Sequence, residues 1–123
     1  MAIRNGCDPV DSLPLTPAEF EVLIALADGE KHGYAILKEV ARRTGGAVSL
    51  GTATLYAVLR RFVADGVLAE SADRPAAALD DERRRYFRLT DHGRRVAAAE
   101  AARMEKALAM ARSKNLVRKP RLA

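Results

Sequence analysis

The residues best suited to chemistry in this chain are hydroxyl and guanidinium groups near its middle. Thr52, Tyr56 and Arg60 follow one another at intervals of four, so they occupy successive turns of a predicted helix. Arginine can fork onto guanine in the DNA major groove, and hydroxyls can reach a phosphate or a base edge. Ala53 and Ala57 keep the neighbouring surface thin enough for close approach. The pattern is typical of a helix that enters the major groove.

Two of these residues have a second interpretation. Tyr56 lies beside the apolar stripe of the same helix, so its ring can equally pack in the core. Thr52, with Ser49 before it, lies near the predicted helix N-terminus, where backbone N–H groups attract phosphate. A hydroxyl at that place can also cap the helix, and the two roles are compatible.

Tyr34 and Lys38 lie one turn apart at the start of the preceding predicted helix. In a helix-turn-helix this helix crosses the DNA backbone, which makes both residues candidate phosphate contacts. The alternative is a core tyrosine with a satisfied hydroxyl beside a solvated lysine. The sequence leaves both interpretations open.

Three consecutive arginines form the densest positive charge in the chain, at the start of a predicted strand. They are Arg83, Arg84 and Arg85. They lie at the base of a predicted β-hairpin, called the wing below, and a wing follows the DNA backbone or enters the minor groove, where arginine is favoured. The acidic residues 80–82 can pair with them and reduce the field. Arg74, nearer the tip of the wing, is a further candidate for DNA contact.

The inventory of reactive side chains does not support catalysis, a metal site or a bound cofactor. The only cysteine is Cys7, and the histidines His32 and His92 have no second ligand at metal spacing. There is no glycine-rich phosphate loop and no nucleophile elbow. We therefore expect a binding protein rather than an enzyme.

Helical and strand periodicities define the elements that position these groups. Thr16 and Glu19 form a capping box for a first helix that ends before Gly29, and a short turn, GEKHG, follows. The pattern then predicts helices at 33–44 and 52–65, strands at 67–71 and 84–89, and a last helix at 91–114. The fold class is mainly α with a small β-hairpin: a winged helix-turn-helix plus a long C-terminal helix.

The last helix carries a narrow apolar seam that suits packing against a partner helix. Its members, spaced alternately by four and three residues, are Ala97, Ala101, Met104, Leu108 and Ala111. We therefore expect a flexible arm at 1–14, a DNA-binding domain at 15–89, a dimerisation helix at 90–114 and a basic tail at 115–123.

Composition sets broad limits on the class of protein. A chain of 123 residues makes one small domain, and a net charge of +5 fits a polyanionic partner. A single cysteine excludes an internal disulfide and fits a reducing compartment. The sequence has neither an apolar run of membrane-spanning length nor an apolar signal core near Met1, so the expected location is cytoplasmic.

Three sequence blocks together resemble the PadR family of bacterial transcriptional regulators in its short form. They are HGYAILKEV, LGTATLYAVLRRFVADGVL and RRRYFRLTDHGRRV, and the resemblance extends from Leu15 to about Ser113. It implies a winged helix-turn-helix that binds DNA, with Tyr34 on phosphate. Several members of that family sense small aromatic or planar cationic compounds at the dimer interface. This chain has no Trp, and its aromatic residues all precede the last helix, which argues against an aromatic drug pore.

The sequence thus favours a homodimeric regulator, a repressor, that reads an inverted repeat in double-stranded DNA. A winged helix used for protein–protein contact without specific DNA binding is the alternative. A third hypothesis, a redox sensor triggered by Cys7, lacks a resolving cysteine. Met104 and Met110 could line an adaptable pocket for an unidentified effector, or simply pack in the seam.

Overall fold

The computed structural model describes residues 8–71 and 85–118. They form four helices and a small antiparallel sheet, with 62% helix. The elements in chain order are α1 (Pro17–Ala25), β1 (Lys31–His32), α2 (Gly33–Thr44), α3 (Thr52–Ala64), β2 (Leu68–Ser71), β3 (Tyr86–Leu89) and α4 (Asp91–Ser113), preceded by a short 3-10 helix (Pro9–Ser12). Within the described ranges, none of the helices combines the length and apolar character needed to cross a membrane.

Side-chain caps set the start of three of the four α-helices. The Thr16 hydroxyl accepts from the Glu19 amide at 3.1 Å while Glu19 Oε1 accepts from the Thr16 amide at 2.8 Å, which confirms the predicted capping box. At α2, His32 Nδ1 accepts from the backbone N–H of Ala35 at 3.1 Å. At α4, Thr90 Oγ1 accepts from the Gly93 N–H at 2.9 Å. These side chains satisfy N–H groups that a helix start leaves without intrahelical partners.

The end of α1 differs from the sequence prediction. The helix stops at Ala25, one turn before the predicted end at Gly29. Carbonyl groups at a helix end have no partner within the helix. The Ala25 carbonyl accepts a hydrogen bond from Lys31 Nζ at 2.7 Å instead. The end of α1 is therefore stabilised by Lys31, six residues later in sequence. No local helix-stop signal predicts such a contact.

The sheet has three strands, where the sequence predicted a two-stranded hairpin. The order is β1-β3-β2, with Lys31 opposite Phe87 and His32 opposite Tyr86. Residues assigned to the GEKHG turn therefore form an edge strand. A two-residue strand is too short to show alternation in the sequence, and only its pairing with β3 reveals it.

The N-terminal segment contains a short 3-10 helix in the part that the structure describes. The flexibility expected at 1–14 stays a prediction, but residues 9–12 form a 3-10 helix that the sequence did not predict: Asp8 caps it through the Val10 N–H at 3.0 Å, and this helix packs on α4. Residues 1–7, including Cys7, lie outside the described residues.

One hydrophobic core joins the four helices to the sheet. Its centre is formed by fully buried side chains that include Leu23, Ile36, Leu55, Leu59 and Val96. Burial along α4 stops at Glu100, and residues 101–110 are all exposed. Among the residues that the structure describes, none buries the outer half of the last helix.

Candidate nucleic-acid interface

Helix α3 presents a thin exposed face opposite its buried stripe. Leu55 and Leu59 are fully buried, whereas Ala53, Ala57 and Arg60 are exposed. Because a helix repeats every 3.6 residues, these two sets lie on opposite sides of α3. The exposed side carries Arg60 and small alanine side chains, whereas Tyr56, which the sequence placed beside them, is buried.

The two adjacent arginines of α3 have different surroundings. Arg61 forms a salt bridge to Glu19 at the start of α1, and its guanidinium lies 5.6 Å from the Phe62 ring centroid. Arg60 forms no salt bridge with any residue that the structure describes. Arg61 therefore ties α3 to α1, and Arg60 is the arginine of this helix that a ligand can engage.

Tyr56 is part of the core. Its side chain is 9% exposed, and it lies so close to α2 that a Cβ placed on Gly33 would come within 2.3 Å of the Tyr56 hydroxyl. Of the two interpretations drawn from the sequence, the buried ring favours packing. Its contact with DNA stays a prediction, and the ring's main observed role is to join α3 to the first residue of α2.

The start of α3 is open to a ligand. Its N-cap is Gly51 and no side chain caps it, so Ser49 and Thr52 do not play the capping role that the sequence allowed. Both residues are exposed, as is Thr54, which sequence reasoning missed. The first N–H groups of the helix and the exposed Thr52 hydroxyl are thus accessible together, a combination suited to phosphate oxygens.

Tyr34 and Lys38 form an exposed pair on α2. Tyr34 is 52% exposed, which excludes the core-tyrosine alternative, and Lys38 Nζ lies 5.2 Å from its ring centroid. A cation held over an aromatic ring leaves both polar ends accessible to solvent. The pair therefore offers an ammonium and a hydroxyl to an anionic partner.

At the base of the wing, only Arg85 of the predicted arginines can be placed. It lies 3.3 Å from Glu70 Oε2 across the sheet, and about half of its side chain stays exposed. This partner on β2 is not among the acidic residues that the sequence pointed to. Arg74, Arg83 and Arg84 lie outside the described residues, together with the acidic residues 80–82.

The predicted seam on α4 borders a shallow apolar groove. Met104 and Leu108 are 45% and 40% exposed, and with Ala101 and Phe20 of α1 they line a groove of about 590 Å³. Ala97 and Ala111, at the two ends of the seam, are partly buried. Exposed apolar side chains in one row mark a surface that another molecule covers.

A buried carboxylate anchors α4 beside this groove. Glu100 is 2% exposed and accepts two hydrogen bonds from Arg103, at 2.9 and 2.7 Å. These bonds, helped by the backbone N–H of Leu15, lower the pKa of Glu100 below its ordinary value, although burial opposes the shift. Glu100 therefore stays ionised and connects α4 to the segment that precedes α1.

Residues 22–99 match the transcriptional regulator PadR-like family. The chain belongs to this family. It is a DNA-binding transcriptional regulator and not an enzyme, as the sequence resemblance implied. Within the described residues, no group of three His, Cys or acidic side chains could hold a metal ion.

Solved structures share the PadR-like fold. A PadR family regulator from Clostridium difficile is 18% identical, with 80% of this chain and 97% of the other covered and a TM-score of 0.66. One from Eggerthella lenta is 28% identical, covering 80% and 82%, with a TM-score of 0.59. PadR of Bacillus subtilis, solved with operator DNA, is 18% identical, covering 89% and 52%, with a TM-score of 0.54. No curated protein matches the sequence significantly.

Proposed function

We propose that this PadR-like protein is a cytoplasmic homodimeric repressor that reads an inverted repeat in double-stranded DNA. The observation that carries the proposal is the exposed face of α3, where Arg60 is free of described salt bridges and Ala53 and Ala57 add little bulk. A major groove admits a helix of this kind, and arginine discriminates guanine through two acceptors. Related PadR of Bacillus subtilis has been solved with operator DNA, which supports DNA as the partner.

Exposed polar groups on α2, at the start of α3 and at Arg85 support further contacts with DNA. The uncapped start of α3, with Ser49 and Thr52, receives a phosphate, and the Tyr34–Lys38 pair of α2 binds the adjoining backbone. Arg85 at the base of the wing, with Arg74, Arg83 and Arg84 beyond it in sequence, contacts the backbone or minor groove. Tyr56 contributes its hydroxyl at most, since its ring is buried.

The groove on α4 is covered by a second copy of this chain. Ala97, Ala101, Met104, Leu108 and Ala111 pack against the same residues of the partner, because a two-fold interface joins identical patches. Two α3 helices then face the same side of the duplex and recognise half-sites related by symmetry. Occupying such a site represses transcription of the adjoining gene.

Selection of bound fragments from genomic DNA supplies the operator, and variants of two neighbouring arginines test how it is read. Arg60→Ala should weaken operator binding by about 1–3 kcal/mol and relax the preference at one base position. Arg61→Ala is the matched control, because it removes the same charge from the same helix and should leave base preference unchanged. Binding of Arg60→Ala with wild-type affinity and preference would contradict the groove model.

The seam is tested with paired acidic substitutions. Met104→Glu with Leu108→Glu should yield monomers, because each places a charge in the apolar interface, and analytical ultracentrifugation measures the mass. Ala102→Glu with Ala109→Glu adds the same two charges to the opposite exposed face of α4 and should leave the dimer intact. If the variant with Met104→Glu and Leu108→Glu is still a dimer, the seam is not part of the interface.

A further inference from the structure

Two consecutive residues, His32 and Gly33, join the wing to the DNA-reading helix. The His32 ring meets the ring of Tyr86 edge-on, with centroids 5.4 Å apart and planes at 89°, and the two residues are also opposite each other in the sheet. Tyr86 is the first residue of β3, and it also pairs with Ser71, the last residue of β2. The contact therefore lies at the base of the wing.

The same histidine fixes the start of α2. Its Nδ1 accepts from the Ala35 N–H at 3.1 Å, so the ring cannot rotate without losing the cap. The next residue, Gly33, is buried against Tyr56 of α3 with no room for a side chain. Tyr56 lies one turn before Arg60 on α3. A short series of contacts therefore connects the base of the wing, through the start of α2, to α3.

We propose that His32 is a positioning residue for DNA recognition: its ring sets the wing relative to α3, so that both engage the duplex together. The inference rests on the proposed function, since it concerns how two of its DNA contacts are aligned. The cap and the ring contact are separate roles of one side chain, and substitutions can remove them one at a time. Neither role requires His32 to touch DNA.

His32→Asn keeps a side chain that caps helices well but removes the ring, whereas His32→Phe keeps a ring but removes the cap. We expect His32→Asn to retain thermal stability and lose operator affinity several-fold. We expect His32→Phe to lose stability and, at a temperature where it is folded, to bind the operator nearly as well as wild type. A merely structural residue would instead lose stability and affinity in parallel. Thr16→Asn exchanges another cap, that of α1, and is the matched control that should leave affinity unchanged.

The wing contact itself supplies the second measurement. Arg85→Ala should reduce the slope of log affinity against log salt by about 1 in the wild type. In the His32→Asn background, Arg85→Ala should hardly change the salt slope further, because the wing is already displaced. Arg60→Ala should still lower operator affinity by its full amount in that background. If Arg85→Ala reduced the salt slope equally in the wild-type and His32→Asn backgrounds, the positioning role of His32 would be overturned. The proposal that the protein binds DNA would not be affected. Absence of salt-dependent operator binding by the wild type would instead refute the proposed function, and the inference with it.

Discussion

Arg60 and Arg61 show that the surroundings of an arginine determine whether its guanidinium is available to a ligand. Both are arginines on one helix, yet the Glu19 carboxylate engages Arg61, and Arg60 has no such partner among the described residues. Glu19 lies 42 residues earlier in sequence, so the distinction depends on how α1 and α3 pack. Sequence periodicity selected Arg60 because it follows Thr52 and Tyr56 at intervals of four, and the structure supplies the physical reason for preferring it to Arg61.

Gly33 gives a stability prediction at the scale of one methyl group. Gly33→Ala should destabilise the protein by about 1–3 kcal/mol, because the added Cβ overlaps the buried Tyr56 ring and hydroxyl. Denaturant unfolding measures the effect. Gly51→Ala is the control, since a Cβ there meets nothing within 4 Å and Gly51 lies at a helix start too. Equal losses at the two positions would show that a side chain at a helix start, rather than the clash with Tyr56, is responsible, since backbone entropy alone favours alanine over glycine.

Glu100 gives a prediction about pH. Its pKa is lowered in the folded chain, so it stabilises the fold above its unfolded pKa of about 4.3, and the gain disappears as pH falls through the folded value. Glu100→Gln should therefore lower the free energy of unfolding by about 1–3 kcal/mol at neutral pH and by progressively less below about pH 4. Unfolding curves at several pH values measure the difference. Glu105→Gln, which makes the same change at an exposed position of the same helix, is the matched control.

At the scale of elements, the junction between β3 and α4 depends on one hydroxyl. Thr90 Oγ1 accepts from the Gly93 N–H and lies 2.6 Å and 3.0 Å from the carbonyls of Gly66 and Val67, to which it can donate. Gly93 approaches Val67 so closely that a Cβ there would lie 2.0 Å from its carbonyl oxygen. The base of α4 is thus fixed against the turn that follows α3.

Removing that hydroxyl should cost about 1–2 kcal/mol of unfolding free energy, since Thr90→Ala loses both the cap and the bond to the preceding turn. Thr90→Ser keeps the hydroxyl and should stay close to wild type. Thermal unfolding of the two variants measures the difference. If serine were no better than alanine, the methyl group of Thr90, and not its hydrogen bonds, would hold the junction.

The elements with local signals were predictable from sequence. The range 33–44 for α2 was correct because the apolar spacing and Gly45 mark it within the segment itself, and α4, at Asp91–Ser113, differs by one residue from the predicted 91–114. The missed features depend on distant contacts: β1 needs Phe87 and Tyr86 opposite it, and the end of α1 needs Lys31. For the site, exposure of Tyr34 and burial of Tyr56 follow from packing that side-chain type does not reveal.

For the whole molecule, the exposed outer half of α4 links folding to association. Residues 101–110 all remain exposed in the part of the chain that the structure describes, and an isolated helical segment of that length is marginal in water. If a second copy covers the seam, the melting temperature should rise with protein concentration, because the dimer form is favoured by mass action. Calorimetry over a wide concentration range tests this, and the Met104→Glu, Leu108→Glu double variant should melt at one temperature throughout.

The length of α4 has a further consequence for the DNA sequence that the protein can recognise. Its 23 residues extend about 35 Å from the junction at Thr90, so in the proposed dimer the position at which the two copies cross would determine how far apart the α3 helices lie. A crossing point displaced by one heptad would move each domain by about 10 Å from the symmetry axis, and the two half-sites would separate by about six base pairs in total. In that dimer, the alanine and methionine pattern of α4 would set the spacing between half-sites.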